Sequence, residues 1–382
     1  MKIAVPTEIR AGENRVALTP DVVRKLTKDG YEVHIQKGAG LNSGYVDADY
    51  EKAGASISPD RDSTWKDADI ILKVNKPEKD GDGTDEVDLI PEKSVFISFL
   101  SPMFEPALMK RIAARGCTSF SIDAIPRISR SQSMDALSSQ GNIAGYKAVL
   151  LAANSLQKLM PMLMTAAGTI APAKVFILGA GVAGLQAIAT ANRLGAVVSA
   201  FDVRPAVKEQ VKSLGAKFVE FDLGESGEGE GGYAKQLSEE AQAKQRAALG
   251  KVAKDMDIII TTAAIPGRQA PRLIEADAVA SMKQGAVIVD LAAVTGGNVE
   301  GSKPDEEVNV DGVRIFGPTN LPSEMPKDAS QMYAKNMLSF MSLFLKEKAT
   351  EFDWEDEILA DAVITRDGEI VHEKTLERAK EL

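Results

Sequence analysis

Residues 173–203 read AKVFILGAGVAGLQAIATANRLGAVVSAFDV, in which two short apolar runs flank a glycine-rich turn and a helical pattern. The turn carries Gly179, Gly181 and Gly184, and Asp202 ends the second apolar run. A strand before the glycines, a helix after them and an acid about twenty positions later distinguish a dinucleotide-binding βαβ unit from a chance string of glycines. The pattern therefore predicts a Rossmann-type unit that begins at Lys174.

Each glycine of the turn has a separate physical task in such a unit. Gly179 allows the tight turn, Gly181 lets a pyrophosphate approach the backbone, and Gly184 allows the helix to pack closely on the strand. The pyrophosphate then lies at the helix N-terminus, where free N–H groups and the helix dipole favour an anion. The three glycines predict the phosphate-binding part of a site.

The carboxylate of Asp202 predicts which dinucleotide is bound. It can accept hydrogen bonds from the adenosine ribose hydroxyls and it repels a 2′-phosphate, so NAD(H) is favoured over NADP(H). Arg204 counts slightly against this preference, because a nearby guanidinium can pair with a phosphate. The sequence predicts NAD(H) as the cofactor and no metal.

The rest of the chain alternates short apolar runs with helical patterns, which is typical of α/β proteins with mainly parallel sheets. The first set of runs is KIAV, YEVHIQ, IILKV, VFISFL and CTSFSI. A later set, after the glycine turn, is AVVSAFDV, KFVEFD, DIIITTA, AVIVDLA and VRIFG. The nearly continuous apolar character of the later set predicts strands buried on both faces.

The length of 382 residues favours two domains, each with its own core. A long helical pattern over 131–159 would carry the chain from one domain to the next, and a later pattern over about 330–346 would return it. The predicted fold is α/β, with two Rossmann-like domains built on parallel sheets. The NAD(H)-binding domain, 141–329, is inserted into a discontinuous first domain, 1–140 and 330–382.

Composition limits the class of protein and its partners. The chain is 44% hydrophobic and 26% charged, as in globular proteins, and its net charge of −10 disfavours nucleic acid and anionic lipid as partners. Cys117 is the only cysteine, so an intrachain disulfide is excluded and we expect a buried thiol. The opening MKIAVPTEIR reads as a strand and not as a secretory signal. The uncharged start of the glycine-turn stretch is interpreted as strand, turn and helix, and no membrane span is expected.

Residues 223–232, LGESGEGEGG, interrupt this regular alternation. A segment so rich in glycine and glutamate buries little apolar surface, so we expect it to be mobile. Its position between strands of the nucleotide domain, directly before Tyr233 and Gln236, favours a lid. The alternative is a surface loop without a function.

Only two histidines are available as acid–base groups. His34 lies in the early run YEVHIQ and His372 lies in EIVHEK near the C-terminus, and both are interpreted as structural or exposed. A dehydrogenase acting on an alcohol or amine needs an acid–base group near the nicotinamide, whereas hydride transfer between two nicotinamides releases no proton. The scarcity of such groups is compatible with the second reaction without deciding it.

Residues 126–140, PRISRSQSMDALSSQ, concentrate polar groups just before the long helix. The side chains of interest are Arg127, Gln132, Asp135 and Ser138. Asp135 and Ser138 share a helical face because of their spacing. Two interpretations stay open: a helix entry capped by Ser131 or Ser133, and a binding loop whose arginine and glutamine hold a carboxamide or a ribose.

Nine strings distributed along the chain resemble the NAD(H)-binding component, domain I, of proton-translocating transhydrogenases. They are RISRSQSMDALSSQ, LMTAAGT, GAGVAGLQAIATANRLGAVV, GGYAKQ, IPGRQAP, MKQGAVIVDLA, GGN, MYAKN and VITRDG. The resemblance covers essentially the whole chain, and the strings together are highly specific. It implies a subunit that passes hydride to or from NADP(H) on a separate domain III, while a membrane domain II moves protons.

The resemblance also implies roles for individual residues. The loop residues implied to reach the nicotinamide and neighbouring groups are Arg127, Gln132, Asp135 and Ser138. With the motif glycines, the implied cofactor contacts are Arg127, Ile128, Ser129, Gln132, Gly179, Gly181, Val182, Ala183, Gly184, Asp202, Val203, Arg204, Gly232, Tyr233, Gln245 and Ala264. The last of these is smaller than the aliphatic residue expected there.

Alanine dehydrogenases share this architecture and are the main alternative. Their pattern has a catalytic Lys in K-V-K-E-P, a His after F-L and an Asp in V-D-I-A-I-D. This chain reads KVNKP, FLSP and VDLAAV, which puts Asn75, Ser101 and Val294 at those positions. Lys73 remains and is interpreted as a lysine at the end of a strand.

The resemblance finally implies partners and a location. We expect a homodimer that works with domain III and membrane domain II, and that binds no nucleic acid. The expected location is the cytoplasm, with peripheral association with the inner membrane through the partner subunits. Two alternative functions stay open, an NAD-dependent amino-acid dehydrogenase like alanine dehydrogenase and a noncatalytic NAD sensor.

Overall fold

The computed structural model describes residues 1–229, 235–265 and 267–381. The chain forms two compact units, Met1–Gln140 with Ser323–Leu382, and Gly141–Pro322. Both are built on mainly parallel sheets with helices in the connections, which confirms the predicted α/β class.

The first unit contains a sheet of eight described strands. Across the sheet they run in the order Glu369–Ile370, Val363–Arg366, Thr118–Ser121, Val95–Ser98, Ile70–Leu72, Lys2–Val5, Glu32–Gln36 and Ser56–Ser58. Neighbours are parallel except around Val363–Arg366, which pairs antiparallel on both sides. The sequence patterns predict the strands from Lys2–Val5 to Thr118–Ser121 but not Ser56–Ser58 or the two C-terminal strands, because two to four residues are too few to show a period.

The second unit contains a sheet of seven described strands. Their order is Lys217–Phe218, Val197–Phe201, Lys174–Leu178, Ile258–Thr261, Val287–Asp290, Val313–Phe316 and Glu307–Val310, and only the last pair is antiparallel. The winding direction reverses between Lys174–Leu178 and Ile258–Thr261. At such a reversal the loops leaving the carboxyl ends of the strands diverge and leave a crevice.

Buried side chains explain why these segments are strands. The side chains of Ile258–Thr261 and Val287–Asp290 are fully buried, as predicted for strands covered on both faces. β-Branched residues dominate them and pack well on a pleated, covered surface. In the first unit Cys117 is also fully buried, as predicted, and burial raises the pKa of its thiol to about 11.

The helices fill the connections between strands. Those of the first unit are Pro20–Lys28, Asp47–Lys52, Arg61–Trp65, Glu86–Leu89, Pro106–Ala113, Pro326–Met341, Glu357–Ala362 and Glu373–Lys380. Those of the second unit are Val182–Arg193, Lys208–Ser213, Glu239–Ala253 and Ala276–Ala280. The helix Ala136–Ser155 begins in the first unit and ends in the second. Among the described residues, no helix has the length and apolar character needed to cross a membrane.

Two helix boundaries differ from the predicted ones. The pattern over 131–159 is a 3-10 helix, Ser129–Met134, followed by the helix Ala136–Ser155, because Asp135 leaves the helical conformation and caps the second helix. The pattern over 330–346 is the helix Pro326–Met341. It begins early because proline suits the first helical position.

A β-hairpin in the second unit exposes apolar side chains. Its strands, Leu163–Thr165 and Gly168–Ile170, pair antiparallel, and all six of their residues are exposed. Met164 is 71% exposed and Met162, just before the hairpin, 58%. No charged residue occurs between Lys158 and Lys174, so the hairpin offers an apolar, uncharged surface.

Candidate functional site

Two of the three motif glycines are required by the fold itself. Gly179 has a φ of +95°, and a Cβ there would lie 2.6 Å from Thr262 Oγ1. A Cβ at Gly184 would lie 1.9 Å from the carbonyl oxygen of Gly179. The tight turn and the close packing of helix on strand therefore leave no room for any other residue.

Gly181 is different, because nothing in the protein needs it to be glycine. Its φ is −77°, and a Cβ there would meet no atom within 4 Å. It is the N-cap of the helix Val182–Arg193, and its side-chain position provides no capping hydrogen bond. The first N–H groups of this helix are thus open to an external acceptor, and a Cβ at Gly181 would protrude into the space that an anion would fill.

Asp202 lies beside this turn with its carboxylate almost completely buried. Oδ2 accepts hydrogen bonds from the N–H of Ala180 at 2.7 Å and from Arg204 Nη2 at 2.8 Å. Oδ1 accepts from the N–H of Arg204 and from its Nε, both at 2.9 Å. The hydrogen bonds to Asp202 also raise the pKa of the Arg204 guanidinium, with a smaller contribution from Glu228.

These four contacts change the predicted role of the carboxylate. An ionised carboxylate offers about four lone-pair positions, so Asp202 has no acceptor position left for a ribose hydroxyl while Arg204 is paired with it. A ribose can be bound there only when the guanidinium moves aside. The sequence places both residues at the site, but it does not reveal that they are bonded to each other.

The opposite wall of the crevice is formed by the loop that follows Ile258–Thr261. Thr262 donates a hydrogen bond from Oγ1 to the carbonyl oxygen of Gly179 at 3.0 Å. Asn298, fully buried, accepts from the N–H of Ala263 at 3.0 Å and donates to its carbonyl oxygen at 2.9 Å. Ala264, the predicted contact, follows directly and is exposed. Asn298 belongs to the GGN string, which was the only sequence signal for its role.

Helix packing brings the first turn of Val182–Arg193 against a second backbone. A Cβ on Gly145 would lie 2.1 Å from the carbonyl oxygen of Ala183, and one on Gly141 would lie 3.8 Å from Val182. Two predicted cofactor contacts, Val182 and Ala183, are therefore held from behind by the helix Ala136–Ser155. Sequence reasoning missed Gly145, because a glycine within a helix does not by itself indicate close packing.

The described part of the predicted lid is attached to the second unit. Leu223 is buried in its core, and Glu225 Oε1 accepts hydrogen bonds from Ser238 N at 2.7 Å and from Ser238 Oγ at 2.6 Å. The N–H of Gly227 donates to the carbonyl oxygen of Val203 at 3.1 Å. The composition of the segment does not predict these attachments.

Three other predicted contacts lie near this segment in sequence. Gly232 and Tyr233 lie outside the described residues. Gln245 is 4% exposed, on the face of the helix Glu239–Ala253 that also buries Leu249. The lid role of the segment stays a prediction.

In the first unit, the loop before the long helix exposes Arg127 and Gln132. Ser131, which is buried, stabilises the turn: its hydroxyl donates to the carbonyl oxygen of Pro126, and its Oγ lies 3.3 Å from the N–H of Ile128. Ile128 is half-buried and Ser129 is exposed. The loop is thus both a capped helix entry and a surface that presents an arginine and a glutamine.

Asp135 and Ser138 are bonded to each other. The Asp135 carboxylate accepts hydrogen bonds from the N–H of Ser138 at 2.8 Å and from its hydroxyl at 2.5 Å. This arrangement satisfies free N–H groups at the start of the helix Ala136–Ser155. Their immediate task is to fix the point at which the loop becomes helix.

The positions that carry catalytic groups in alanine dehydrogenases hold other structures. Lys73 is 1% exposed, with Nζ 2.7 Å from Glu86 Oε1 and 3.4 Å from Glu8 Oε2. Burial lowers the pKa of Lys73, but the two carboxylates outweigh it and hold the pKa above its ordinary value. Lys73 is therefore a buried, paired cation, and the interpretation as a simple strand-end lysine is incomplete.

The three substituted positions lack acid–base groups of the expected kind. Asn75 is buried and donates from Nδ2 to Glu13 Oε2 at 2.8 Å, while Val294 is 62% exposed. Both histidines lie in the first unit: His34 is within the strand Glu32–Gln36, and His372 Nδ1 lies 2.6 Å from Thr375 Oγ1. Burial lowers the pKa of both imidazoles.

Two family models match the chain. The model described as alanine dehydrogenase/PNT, N-terminal domain, matches residues 4–144, and the model described as alanine dehydrogenase/PNT, C-terminal domain, matches residues 148–373. The chain belongs to the alanine dehydrogenase/PNT family. Its relatives within this family include both transhydrogenase subunits and alanine dehydrogenases.

A transhydrogenase subunit of Rhodospirillum rubrum, the first of the polypeptides that make up its NAD(P) transhydrogenase subunit alpha, is 47% identical over 376 residues, covering 97% of this chain and 98% of the relative. A solved transhydrogenase from Sinorhizobium meliloti superimposes with a TM-score of 0.87 at 43% identity, covering 97% of this chain and 100% of that one. An alanine dehydrogenase of Halomonas elongata is 31% identical, covering 99% of this chain and 96% of the relative. The predicted recognition and enzyme class, an NAD(P) transhydrogenase component, are confirmed.

Proposed function

We propose that this chain is the NAD(H)-binding component of a proton-translocating transhydrogenase. It transfers hydride directly between the NAD(H) that it binds and the NADP(H) that a partner domain holds. The observation that carries the proposal is the uncapped helix N-terminus at Gly181 beside the buried carboxylate of Asp202. An open anion site next to a carboxylate fits the pyrophosphate and ribose of a dinucleotide.

In this proposal residues 141–329 are the NAD(H)-binding domain, and residues 1–140 with 330–382 form the other domain. The backbone N–H groups after Gly181 hold the pyrophosphate. Asp202 accepts from the adenosine ribose after Arg204 has moved aside. The remaining contacts are Ile128, Ser129, Gly179, Val182, Ala183, Gly184, Val203, Gly232, Tyr233, Gln245 and Ala264.

The exposed loop of the first unit steers the reacting end of the cofactor. Arg127 and Gln132 orient the nicotinamide, and Asp135 with Ser138 fixes the helix start from which they extend. When bound, the nicotinamide supplies or accepts a hydride. The residues of this chain need only orient it and exclude water, because no proton leaves the reacting carbons. The absence of a lysine base at Asn75 supports this reaction over amino-acid oxidation.

Other polypeptides complete the enzyme. A domain III binds NADP(H) and a membrane domain II translocates protons, so that this chain lies in the cytoplasm and associates peripherally with the inner membrane. The name of its relatives as one subunit of a larger enzyme supports such partners. We also propose a homodimer, supported by the exposed, uncharged hairpin around Met164.

The test is a hydride-transfer assay with separate components. The protein is mixed with NADH, an acetylpyridine analogue of NAD and an NADP(H)-loaded domain III. We expect reduction of the analogue that requires domain III. A protein that binds NADH but reduces no analogue would be a noncatalytic NAD sensor, and the proposal would be wrong.

A second arm of the same assay addresses alanine dehydrogenase activity, which the 31% identical relative makes the specific rival. Oxidation of NADH by pyruvate and ammonia without domain III would replace the proposal by that activity. A Gln132→Asn variant tests the steering role, since it shortens the side chain without removing the amide. We expect normal NADH binding with slower transfer; an unchanged transfer rate contradicts the role.

A further inference from the structure

The backbone of the loop that presents Arg127 and Gln132 is held from a distant helix. The carbonyl oxygen of Ser133 accepts a hydrogen bond from Asn336 Nδ2 at 2.9 Å. Ser133 directly follows Gln132, so this bond fixes the peptide group next to the residue proposed to steer the nicotinamide. Asn336 lies on the helix Pro326–Met341, in the string MYAKN.

The amide of Asn336 can adopt only one orientation. Its Oδ1 accepts a hydrogen bond from Ser139 Oγ at 2.7 Å, while its Nδ2 faces the Ser133 carbonyl. A flipped amide would place Oδ1 against a carbonyl oxygen, which cannot donate. Asn336 is 8% exposed, so water cannot readily replace either bond.

Ser139 is itself held in place by buried groups. Gln140 Nε2 lies 3.2 Å from Ser139 Oγ and 3.1 Å from the carbonyl oxygen of Ala329, and Gln140 Oε1 accepts from Arg15 Nη1 at 3.0 Å. Arg15 is bound through Nε and Nη2 to Glu13 at 2.8 and 2.7 Å. Asn336 is therefore the outermost member of a buried hydrogen-bond network and not an isolated contact.

The helix that carries Asn336 is fixed to the sheet one turn earlier. Tyr333, fully buried, donates a hydrogen bond from its hydroxyl to the carbonyl oxygen of Lys73 at 2.8 Å. Tyr333 and Asn336 lie on the same face of the helix because they are three residues apart. The helix thus acts as a rigid support from which Asn336 reaches the loop.

We propose that Asn336 is a positioning residue for hydride transfer, which sets the loop geometry by holding the Ser133 carbonyl. This rests on the proposed function, since the loop matters only if Gln132 and Arg127 meet the nicotinamide. Asn336 touches neither the cofactor nor the reacting atoms. It acts on the reacting end of the cofactor alone, because the proposed pyrophosphate and ribose contacts belong to the second unit.

Asn336→Asp is the most informative variant. One carboxylate oxygen can still accept from Ser139, but the other then faces the Ser133 carbonyl without a proton to donate, so the loop is displaced. We expect transfer to slow by about tenfold to a hundredfold, as for a small misplacement of reacting groups, with the Kd for NADH changed less than about threefold. Lys335→Ala, an exposed neighbour on the same helix, should keep the wild-type rate and Kd.

The assay is the reduction of acetylpyridine NAD with NADH and NADP(H)-loaded domain III, beside fluorescence titration of NADH. A wild-type protein that transfers no hydride rejects the proposed function. An active wild type with a fully active Asn336→Asp variant overturns the positioning role alone, as does a variant in which NADH binding falls as much as the rate. If Asn336→Asp does not fold, Ser139→Ala decides, with a rate severalfold lower at unchanged NADH binding expected and a wild-type rate overturning the role.

Discussion

Asp202 accepts four N–H groups, and three of them come from Arg204. The pair is a local consequence of spacing, because a residue two positions after a strand-end carboxylate can fold its guanidinium back onto it. It also keeps the arginine away from any phosphate. Cofactor choice at this site therefore depends on which partner Arg204 takes.

Asp202→Asn should change that choice. The amide cannot accept both guanidinium bonds and does not repel a 2′-phosphate, so Arg204 becomes available to pair with it. We expect NADH to bind roughly tenfold more weakly, and the ratio of NADPH to NADH affinity to rise, by titration of both nucleotides. The double variant with Arg204→Gln is the control and should lose the gain for NADPH; a gain that persists means that Arg204 is not responsible.

Glu13 makes a second prediction at this scale. Burial opposes its charge, but hydrogen bonds from Arg15 and Asn75 and the charge of Arg15 lower the pKa of Glu13 from 4.5 to about 2. A carboxyl with a lowered pKa in the folded state contributes stability that is present above its ordinary pKa and is lost as pH falls toward 2. Glu13→Gln leaves the buried Arg15 without its partner charge and should cost about 3 kcal/mol near neutral pH.

The measurement is urea unfolding of wild type and Glu13→Gln between about pH 3 and 7, a range set by that pKa shift. The difference in unfolding free energy should be constant above about pH 5 and shrink below it. Glu32→Gln, at an exposed carboxyl of the same unit, is the control and should show little difference. A difference for Glu13→Gln that does not depend on pH would mean that the charge is not what stabilises the pair.

At the scale of elements, the turn between Lys174–Leu178 and Val182–Arg193 combines structural and ligand-binding demands. Gly184 is required because helix and strand backbones touch there, whereas the protein leaves open space at Gly181. The two glycines therefore offer a matched pair of substitutions. Each adds the same methyl group, only three residues apart.

Gly184→Ala should unfold more easily, by about 3 kcal/mol, because the added Cβ overlaps the Gly179 carbonyl oxygen. Gly181→Ala should keep the wild-type melting temperature but bind NADH at least about tenfold more weakly, because its Cβ lies where the pyrophosphate approaches. Thermal unfolding and NADH titration of both variants separate the two effects. Normal NADH binding by Gly181→Ala would contradict the pyrophosphate assignment.

At the scale of the whole molecule, the hairpin Leu163–Thr165 with Gly168–Ile170 is a two-stranded element without a covered face. Such a pair is marginally stable alone in water. An exposed apolar surface of this kind indicates an interface, and the proposed homodimer supplies the second copy to cover it.

Met164→Asp and Ile170→Asp should weaken the homodimer, because each places a charge on the apolar hairpin. We expect sedimentation velocity to show a monomer at micromolar concentration, with NADH binding retained. Leu41→Asp, at a leucine that is 55% exposed in the first unit, is the control and should remain dimeric. Dimers that persist in both hairpin variants would place the interface elsewhere.

Short-range patterns made much of the fold predictable. Strands such as Ile258–Thr261 carry their own signal in consecutive β-branched residues, and the glycine turn specifies its conformation within six residues. Ser56–Ser58 and Glu369–Ile370 carry no such signal and become strands only because a neighbouring strand offers its edge. The attachments of the segment after Leu223 were equally invisible, since its partners, Val203 and Ser238, lie outside it in the sequence.

The sequence by itself determined the α/β class, the dinucleotide turn with Asp202, and the kinship with transhydrogenase subunits, because those depend on residues close together in the chain. Only the tertiary structure decided which polar groups are bonded. Lys73 is neutralised by Glu8 and Glu86, and Asn336 holds Ser133 across 203 positions of sequence. Burial makes an unpaired polar group costly, so each such group takes whatever partner the packed core brings near it, and no local pattern encodes that choice.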